Sequence, residues 1–401
     1  MQVLFLTLVE INSLEERGIY HDLLRKFRDR GHSVTIVTSV ERRKRIATNL
    51  QNMGNVNILQ VKTFNIQKTN IVEKGIGTLA IEYQFLAAIK KYLVDIKFDL
   101  VLYSTPPITF AKVIDFIRKR DKAFSYLLLK DIFPQNAVDM GMIKEGSFIH
   151  RQFLKKEKKL YAVSDVIGCM SKANVEFILK HNPELVQKKI VVNPNSINPV
   201  SFNYTTEEKK SIREKYSVPS EKVVFVYGGN LGKPQGLDFL LETIALNKDP
   251  DAYFLIIGDG TEYPRIKSWF EEKLPSNAKL LQRLPKTDYD RLLAACDVGL
   301  IFLDRNFLIP NFPSRLLSYL EMEMPVISAT DPNTDVGDVI QQADCGFKVI
   351  SGDSRSMQNC ITMILDENLR KKMSKNAKNL LYNHYTVENS YNLIISDIED
   401  V

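Results

Sequence analysis

Short apolar runs alternate with helical patterns along the whole chain, and this alternation constrains the fold more than any other feature. Val3–Leu8 is a continuous apolar run, as expected for a strand that helices cover on both faces. A helical pattern over Glu15–Arg30 follows, and Val34–Thr38 is the next apolar run. Because helices that follow strands carry the chain back across a sheet, this order favours parallel pairing. The sequence therefore predicts an α/β protein.

The alternation stops once and then starts again. A polar stretch, Asn203–Ser220, predicts a linker, and the apolar runs Val223–Tyr227, Tyr253–Ile257 and Val298–Phe302 follow it. We therefore expect two Rossmann-like domains that face each other across a cleft. The predicted boundaries are 1–200 for the first domain, 201–385 for the second, and 386–401 for a C-terminal helix that packs back on the first.

The composition is that of a globular protein. The 401 residues are 44% hydrophobic and 25% charged, which excludes a disordered or collagen-like chain. The net charge of +6 is too small for a dedicated nucleic-acid binder, but it suits contact with phosphates or an anionic membrane surface. No apolar run approaches the roughly 18–20 residues that a membrane-spanning helix needs. We expect a soluble cytoplasmic protein, with peripheral association at the inner face of the membrane as a further hypothesis.

No pattern of metal ligands is evident. The four cysteines lie far apart, and we expect them to be reduced and buried. They are Cys169, Cys296, Cys345 and Cys360. Two Asp-x-Asp strings occur, Asp249–Asp251 before a predicted strand and Asp288–Asp290 at a predicted helix start, where acidic residues favour the helix dipole. We expect both to be structural, and we expect no metal ion or other cofactor.

Three segments that follow strands of the second half are candidates for binding a phosphate. The first, Tyr227–Gly236, has glycines that let backbone N–H groups approach an anion, and Lys233 adds a charge. The second is Ile257–Gly260, and the third is a helix start at Pro313, where the N–H groups of Ser314–Leu316 would be free. An arginine at such a start can form a fork with a phosphate. The structural alternatives are a tight turn, an ordinary α/β turn and a capped helix with a surface arginine.

Basic clusters occur in the first half, at Arg42–Arg45, Arg118–Arg120 and Lys155–Lys159. A solvated helix face is the default interpretation of each cluster. Together they make the first domain positive, which would suit an anionic lipid or a lipid diphosphate. The nearby stretch Ile66–Ile76 would be a long loop or short helix that reaches toward such a lipid.

The sequence resembles family 4 of the glycosyltransferases, which have the GT-B fold and use nucleotide-sugars. The resemblance covers essentially the whole chain. It is greatest for the branch that builds bacterial capsule and O-antigen repeat units, which includes N-acetyl-L-fucosaminyl transferases. The motifs that support it are Arg30–Thr35, Ser104–Pro107, Asp131–Ala137, Glu157–Asp165, Gly229–Gly232, Gly258–Gly260 and Pro313–Arg315.

The resemblance implies roles for individual residues. Asp131 would lie against the acceptor and the reacting sugar, although a helix N-cap is the structural alternative for this residue. Glu16, Gly18 and Pro106 would contact the acceptor. The residues that would bind the donor are Gly229, Asn230, Leu231, Gly232, Lys233, Gly258, Asp259, Gly260, Arg283, Ser314, Arg315, Leu316 and Ser318.

Four positions depart from the pattern of the family. Ser318 stands where the family has an acidic residue that binds the ribose, and Glu323 stands where it has a glycine. In the first phosphate segment, Asn230 and Gln235 stand where many relatives have an arginine and a lysine.

The resemblance implies a retaining glycosyltransferase that moves a sugar from a UDP-linked donor to a polyprenyl-diphosphate-linked acceptor. N-acetyl-L-fucosamine is the candidate sugar, and capsule or O-antigen synthesis is the candidate pathway. A catalytically degenerate scaffold protein is the alternative. A UDP-sugar 2-epimerase is less favoured, because His21 and His32 lie on or after the first helix and not after strands.

Overall fold

Two sheets form the framework of the chain, one in each of two compact units. The computed structural model describes residues 1–66 and 71–400. The first unit comprises Met1–Asn198 and Val387–Val401, and the second comprises Pro199–Thr386. Each unit has its own buried apolar core.

The first unit alternates strands and helices from its first residues onward. Its elements are β1 (Gln2–Leu6), α1 (Ile19–Asp29), β2 (Ser33–Glu41), β3 (Asn49–Met53), β4 (Val56–Thr63), α2 (Ile71–Tyr92), β5 (Leu100–Ser104), α3 (Ala111–Asp121), β6 (Phe124–Leu129), α4 (Gln135–Asp139), α5 (Phe148–Val163), β7 (Val166–Cys169), α6 (Lys172–His181) and β8 (Lys189–Val192). In the described part of the chain, the strand order is β3-β4-β2-β1-β5-β6-β7-β8. Among the described strands of this sheet, β3 alone pairs antiparallel, at the edge.

The second unit repeats the alternation with a smaller sheet. Its elements are α7 (Thr206–Lys215), β9 (Val223–Asn230), α8 (Leu237–Leu246), β10 (Ala252–Asp259), α9 (Tyr263–Lys273), β11 (Ala278–Gln282), α10 (Lys286–Ala294), β12 (Val298–Phe302), α11 (Arg315–Glu321), β13 (Val326–Thr330), α12 (Val336–Gln342), β14 (Gly346–Ile350), α13 (Ser354–Ile364) and α14 (Glu367–His384). The strand order is β11-β10-β9-β12-β13-β14, and all pairs are parallel. The last helix, α15 (Val387–Glu399), belongs to the first unit.

Aromatic packing and buried polar contacts attach α15 to the first unit. The rings of Phe27 and Tyr391 lie 4.8 Å apart, edge to face. The Tyr126 hydroxyl donates to the Asp397 carboxylate at 3.1 Å, and Lys189 pairs with the same carboxylate at 2.9 Å. Aromatic pairs and buried charge-assisted bonds of this kind order a terminal helix that would otherwise fray.

The predicted linker contains a helix. Within Asn203–Ser220 the chain forms α7, whose N-terminus has a capping box between Thr205 and Glu208. Arg213 on this helix is buried; its guanidinium pairs with Asp297 at 2.6 Å and donates to the carbonyl oxygen of Ala295 at 2.7 Å. The polar composition predicted a linker because two of the partners of this arginine, Ala295 and Asp297, lie about 80 positions later in the chain.

Other local predictions also differ from the structure. The helix predicted over Glu15–Arg30 begins only at Ile19, after Gly18 at its N-cap. Cys169, Cys296 and Cys345 are buried as expected, but Cys360 is only partly buried, and all four are free thiols. The stretch Ile66–Ile76 was predicted to be a long loop or short helix; residues 67–70 lie outside the described residues, and α2 begins at Ile71. None of the described helices is both long and apolar enough to cross a membrane.

Candidate functional site

In the first unit, the residues expected to contact the acceptor follow neighbouring strands. Gly18 precedes α1 in the segment after β1, Pro106 follows β5, and Asp131 comes two residues after β6. The strands β1, β5 and β6 are adjacent and parallel, so these three segments leave the same edge of the sheet. Glu16, in the segment before Gly18, is exposed.

A threonine hydroxyl connects two of these segments. The Oγ1 atom of Thr105 accepts the backbone N–H of Asp131 at 3.1 Å and donates to the carbonyl oxygen of Asp131 at 2.9 Å. The backbone of Asp131 is therefore held by the loop that also contains Pro106.

The Asp131 carboxylate is half-buried, and Asn136 is the side chain that donates hydrogen bonds to it. Its two oxygens each lie 2.7 Å from the amide nitrogen of Asn136. Burial raises the pKa of Asp131 to about 6, although Asn136 and the backbone of Ile132 favour the charged form. The helix that follows, α4, has Pro134 at its N-cap, so Asp131 is not the cap that the structural alternative required. Near neutral pH this carboxylate can accept a hydrogen bond from a hydroxyl group, or it can stabilise a nearby positive charge.

Burial shifts the pKa of three further titratable groups in the first unit, and the sequence analysis assigned none of them a role in the site. Lys130 precedes Asp131; burial lowers its pKa to about 7, and its amine donates to the carbonyl oxygen of Asn193 at 3.1 Å. Burial raises the pKa of Glu157, which accepts from the Tyr161 hydroxyl at 2.8 Å, to about 7. Burial likewise lowers the pKa of His21. The position of Lys130 directly after an apolar strand was the one available signal.

In the second unit, the predicted glycine turns belong to strand ends. Gly229 is part of β9 and Gly258 is part of β10, and these two residues are register partners. Gly229 has φ 128, a conformation that favours glycine. A Cβ atom at Gly258 would lie 2.1 Å from the carbonyl oxygen of Gly229, and one at Gly260 would lie 2.4 Å from that of Leu231. The glycines therefore allow two strand ends to approach closely at the carboxyl edge of the sheet.

Arg315 lies beside these strand ends. Its guanidinium carbon is 4.3 Å from the centre of the Tyr227 ring, and its Nη2 donates to the side-chain oxygen of Gln235. A Cβ atom at Gly229 would lie 3.8 Å from Nη2. The Nη1 atom is buried and has no hydrogen-bond partner among the described residues. A buried guanidinium nitrogen without an acceptor is costly, and an anion placed there would satisfy it.

The substitution at Gln235 helps to explain this arrangement. The Tyr227 hydroxyl lies 3.2 Å from the side-chain oxygen of Gln235 and 3.0 Å from the carbonyl oxygen of Asn230. Gln235 thus accepts a hydrogen bond from Arg315, which a lysine at this position could not do. Tyr227 and Gln235 together orient the guanidinium. The sequence analysis included Tyr227 in the first phosphate segment but assigned it no role of its own.

The structure does not bring all the predicted donor residues to Arg315. Lys233 lines a separate cavity of about 590 Å³ with Arg265 and Arg305, and the lining of that cavity does not include Arg315. Arg283 is exposed beyond β11, at the edge of the sheet. The prediction of a free N–H at Leu316 was wrong, because this group donates to the carbonyl oxygen of Pro313 at 3.2 Å.

The remaining donor candidates lie around the same strand ends. Asn230 and Asp259 are register partners at the ends of β9 and β10, and Leu231 donates its N–H to the carbonyl oxygen of Asp259 at 2.9 Å. A Cβ atom at Gly232 would lie 3.0 Å from the Asn230 amide nitrogen. Ser314 precedes α11, and Ser318 is half-buried one turn inside it.

One departure from the family pattern and one Asp-x-Asp string have clear structural settings. Glu323 has φ 53, a left-handed conformation that favours the glycine expected there, and its carboxylate pairs with Lys378 at 2.6 Å. The Asp288–Asp290 string starts helix α10 and pairs with lysines, Asp288 with Lys215 at 3.6 Å and Asp290 with Lys286.

Comparisons with known proteins agree with this architecture. The family model "Glycosyl transferases group 1" matches residues 208–380, which lie within the second unit. The probable glycosyltransferase WbjE of Pseudomonas aeruginosa is 24% identical over 314 residues, 75% of this chain and 74% of that protein. The UDP-Gal:alpha-D-GlcNAc-diphosphoundecaprenol alpha-1,3-galactosyltransferase of Escherichia coli is 23% identical over 250 residues, 58% of this chain and 62% of that one.

A solved structure gives the fold of the whole chain. Anabaena HepE, in complex with UDP, superposes with a TM-score of 0.70 at 15% identity, and the match covers 100% of both chains. The predicted GT-B fold is confirmed. The chain has the two-domain α/β fold of GT-B glycosyltransferases, and its residues 208–380 match the model of the glycosyl transferases group 1 family.

Proposed function

We propose that this protein is a retaining glycosyltransferase of polysaccharide biosynthesis. It moves a sugar from a UDP-linked donor to a polyprenyl-diphosphate-linked acceptor. The observation that supports this most directly is Arg315, whose buried Nη1 has no described acceptor beside strand ends that glycines keep open. The family match and the fold support a transferase independently of this side chain.

The second unit binds the nucleotide-sugar in this proposal. Arg315 forms a charge-assisted hydrogen bond with the diphosphate, and Gly229–Gly232 leaves room for its oxygens. The Gly258–Gly260 segment and the backbone at Arg283 contact the base, as the resemblance implies. UDP is the expected nucleotide, and the similarity to a protein solved in complex with UDP is consistent with that choice.

The first unit binds the acceptor. The Escherichia coli relative is named for a diphosphoundecaprenol-linked acceptor, which supports a lipid-linked saccharide here. Asp131 contacts the acceptor hydroxyl or the reacting sugar, and Glu16, Gly18 and Pro106 belong to the same edge of the sheet. We expect the protein to act at an anionic membrane surface, where such lipids reside.

The chemistry is a substitution at the anomeric carbon. The bond between this carbon and the phosphate oxygen breaks, the acceptor oxygen bonds to the same face, and the departing phosphate oxygen takes the hydroxyl proton. The transition state has positive charge on the sugar and growing negative charge on the phosphate. Arg315 stabilises the negative charge because its guanidinium is already oriented by Tyr227 and Gln235. Asp131 stabilises the positive charge.

The finer assignment rests on the sequence resemblance. N-acetyl-L-fucosamine is the proposed sugar, and capsule or O-antigen synthesis is the proposed pathway. A degenerate scaffold is the second candidate, favoured by Ser318 and Asn230 at positions where the family binds ribose and phosphate. A scaffold without a donor site would not bind nucleotides, so nucleotide binding separates the two.

A thermal-shift titration with UDP, GDP, CDP and dTDP tests the proposal. At a concentration 100-fold above its dissociation constant, a ligand stabilises the folded state by roughly 2.7 kcal/mol. We expect UDP to raise the melting temperature of the wild type. We expect Arg315→Ala to weaken UDP binding roughly 10-fold or more, because a hydrogen bond to a charged group contributes about 1.5–3 kcal/mol.

Arg355→Ala is the matched control, because Arg355 is an exposed arginine on α13 of the same unit. It should leave the UDP shift unchanged. If no nucleotide shifts the wild type, the donor site is not functional and the scaffold interpretation replaces the proposal. If UDP binds and Arg315→Ala binds it equally well, the nucleotide site lies elsewhere.

A further inference from the structure

The strongest feature outside the candidate site is an exposed apolar tip on the first unit. Met142, Phe148 and Ile149 have 63%, 70% and 58% of their surface exposed. They lie in the loop before α5 and in the first turn of that helix. Single exposed apolar residues are ordinary, but three within eight residues, one of them an aromatic ring, form a protrusion that water solvates poorly.

The exposed face of α5 continues this tip with basic side chains. At 100° per residue, Phe148, Arg151, Lys155 and Lys159 lie on one side of the helix. All four are exposed, whereas Glu157, Leu160 and Tyr161 on the other side are buried. We call the tip and this row of basic residues the α5 surface; it consists of Met142, Phe148, Ile149, Arg151, Lys155 and Lys159.

The described side chains do not neutralise the charge of the α5 surface. Among residues 1–66 and 77–400, Arg151, Lys155 and Lys159 form no ion pair, whereas Lys156 and Lys158 in the same helix pair with Glu82 and Glu184. The contrast matters because paired lysines would offer little attraction to an external anion. The three unpaired cations therefore give this face a positive potential next to its apolar tip.

Ring packing and hydrogen bonds connect the α5 surface to the candidate acceptor site. The Phe133 ring, in the Asp131 segment, packs edge to face on Phe153 of α5 with centroids 4.9 Å apart. Asn136 of α4 bonds the Asp131 carboxylate at 2.7 Å, and the N–H of Met142 donates to the carbonyl oxygen of Ala137 in the same helix at 2.8 Å. A ligand bound at the tip would therefore contact residues that are close to Asp131 in the sequence and linked to it by these contacts.

We propose that the α5 surface docks on an anionic lipid bilayer. Met142, Phe148 and Ile149 enter the headgroup region, and the basic row contacts lipid phosphates. Apolar residues beside Lys and Arg on an amphipathic helix are the pattern of elements that lie in the membrane interface. Each basic residue near an anionic membrane increases binding several-fold, and aromatic rings favour the boundary between headgroups and acyl chains. The docking proposal does not depend on the proposed function. The idea that the docked membrane also contains the lipid-linked acceptor rests on the proposed function.

Co-sedimentation of the full chain with vesicles tests this proposal. The vesicles are pure phosphatidylcholine, or phosphatidylcholine with about a third phosphatidylglycerol, at low and high salt. We expect the wild type to bind the anionic vesicles at least tenfold more strongly than the neutral ones, with binding weakened by salt. Phe148→Ser/Ile149→Ser and Arg151→Glu/Lys155→Glu should each reduce binding to the anionic vesicles about tenfold or more.

Two control variants match these changes in type. Leu274→Ser alters an apolar side chain that is 78% exposed on the second unit, and Lys210→Glu/Lys375→Glu makes the same change in net charge on exposed helices there. Both should bind vesicles like the wild type, and all variants should melt at the wild-type temperature because the altered side chains are exposed.

The proposal is overturned if the wild type does not bind anionic vesicles. A protein partner would then be the remaining candidate ligand for the α5 surface. It is also overturned if the control variants lose binding as much as the α5 variants, because the attraction would then be a property of net charge. Nucleotide binding is measured separately on the same preparations. Failure of vesicle binding with an intact UDP shift therefore refutes the docking surface and leaves the proposed function standing.

Discussion

Replacement of Asp131 by asparagine should stabilise the fold while it impairs the proposed reaction. The wild-type carboxyl has a pKa of about 6, raised from 3.8 mainly by burial. In the folded state the charged form is therefore disfavoured relative to the unfolded chain. A neutral amide of nearly the same shape avoids this penalty, and it can still accept a hydrogen bond from Asn136.

The size and pH dependence of the effect follow from linkage. A carboxyl whose folded pKa is raised contributes most stability below its unfolded pKa, and that contribution is lost as pH rises through the folded pKa. The rise in the pKa of Asp131 from 3.8 to about 6 lowers the free energy of unfolding by about 3 kcal/mol at pH 8, and by about half of that at pH 5. Because Asp131 is partly exposed to water, about 3 kcal/mol is an upper limit. The advantage of Asp131→Asn should therefore grow between pH 5 and pH 8.

Urea unfolding of the wild type and Asp131→Asn at pH 5, 6.5 and 8 measures this difference. Asp115→Asn is the control, because Asp115 is a carboxylate on α3 of the same unit with 43% of its side chain exposed. It should change the free energy of unfolding by less than about 0.5 kcal/mol at any of these pH values. A less stable Asp131→Asn, or a difference that does not grow with pH, would refute the argument that the buried charge is costly.

Three further substitutions test other parts of the second unit. Gln235→Leu should weaken UDP binding roughly fivefold by calorimetry, because Arg315 loses the acceptor that orients its guanidinium; unchanged affinity would show that Gln235 has no positioning role. Gly258→Ala should lower the free energy of unfolding by about 2 kcal/mol or more, because the new methyl group would meet the Gly229 carbonyl oxygen at 2.1 Å. Arg213→Ala should cost about 3–5 kcal/mol in the same urea assay, because it removes a buried cation bonded to several carbonyl oxygens and leaves its carboxylate partner unpaired; a loss below about 1 kcal/mol would mean that α7 is an open linker after all.

The central strands could be located from the sequence alone. The apolar run Val298–Phe302 is β12 residue for residue, and the run Tyr253–Ile257 lies within β10. Strands in the middle of a parallel sheet are buried on both faces, so they must be apolar throughout. The edge strands β3 and β11 were missed because one side of each faces solvent and their sequences, Asn49–Met53 and Ala278–Gln282, are correspondingly mixed.

The site was predictable in part, because ligand-binding residues of α/β domains follow the strands. Gly229 and Gly258 were proposed in this way, from a local pattern of an apolar run followed by glycine, whereas the role of Asp131 was implied by the resemblance to the family. The pattern could not distinguish which cations belong together. Lys233 and Arg315 seemed equivalent as phosphate ligands, yet Lys233 lines a different cavity and Arg315 lies over Tyr227.

The sequence by itself determined the α/β alternation and which segments end at the carboxyl edges of the sheets, because both depend on residues within a few positions of one another. Only the tertiary structure decided the chemical state of the site. The guanidinium of Arg315 is oriented by Gln235, 80 residues earlier, and the pKa of Asp131 is set by the burial around it. Orientation and burial depend on atoms that are distant in the chain, and hydrogen-bond geometry and desolvation convert that proximity into charge and reactivity.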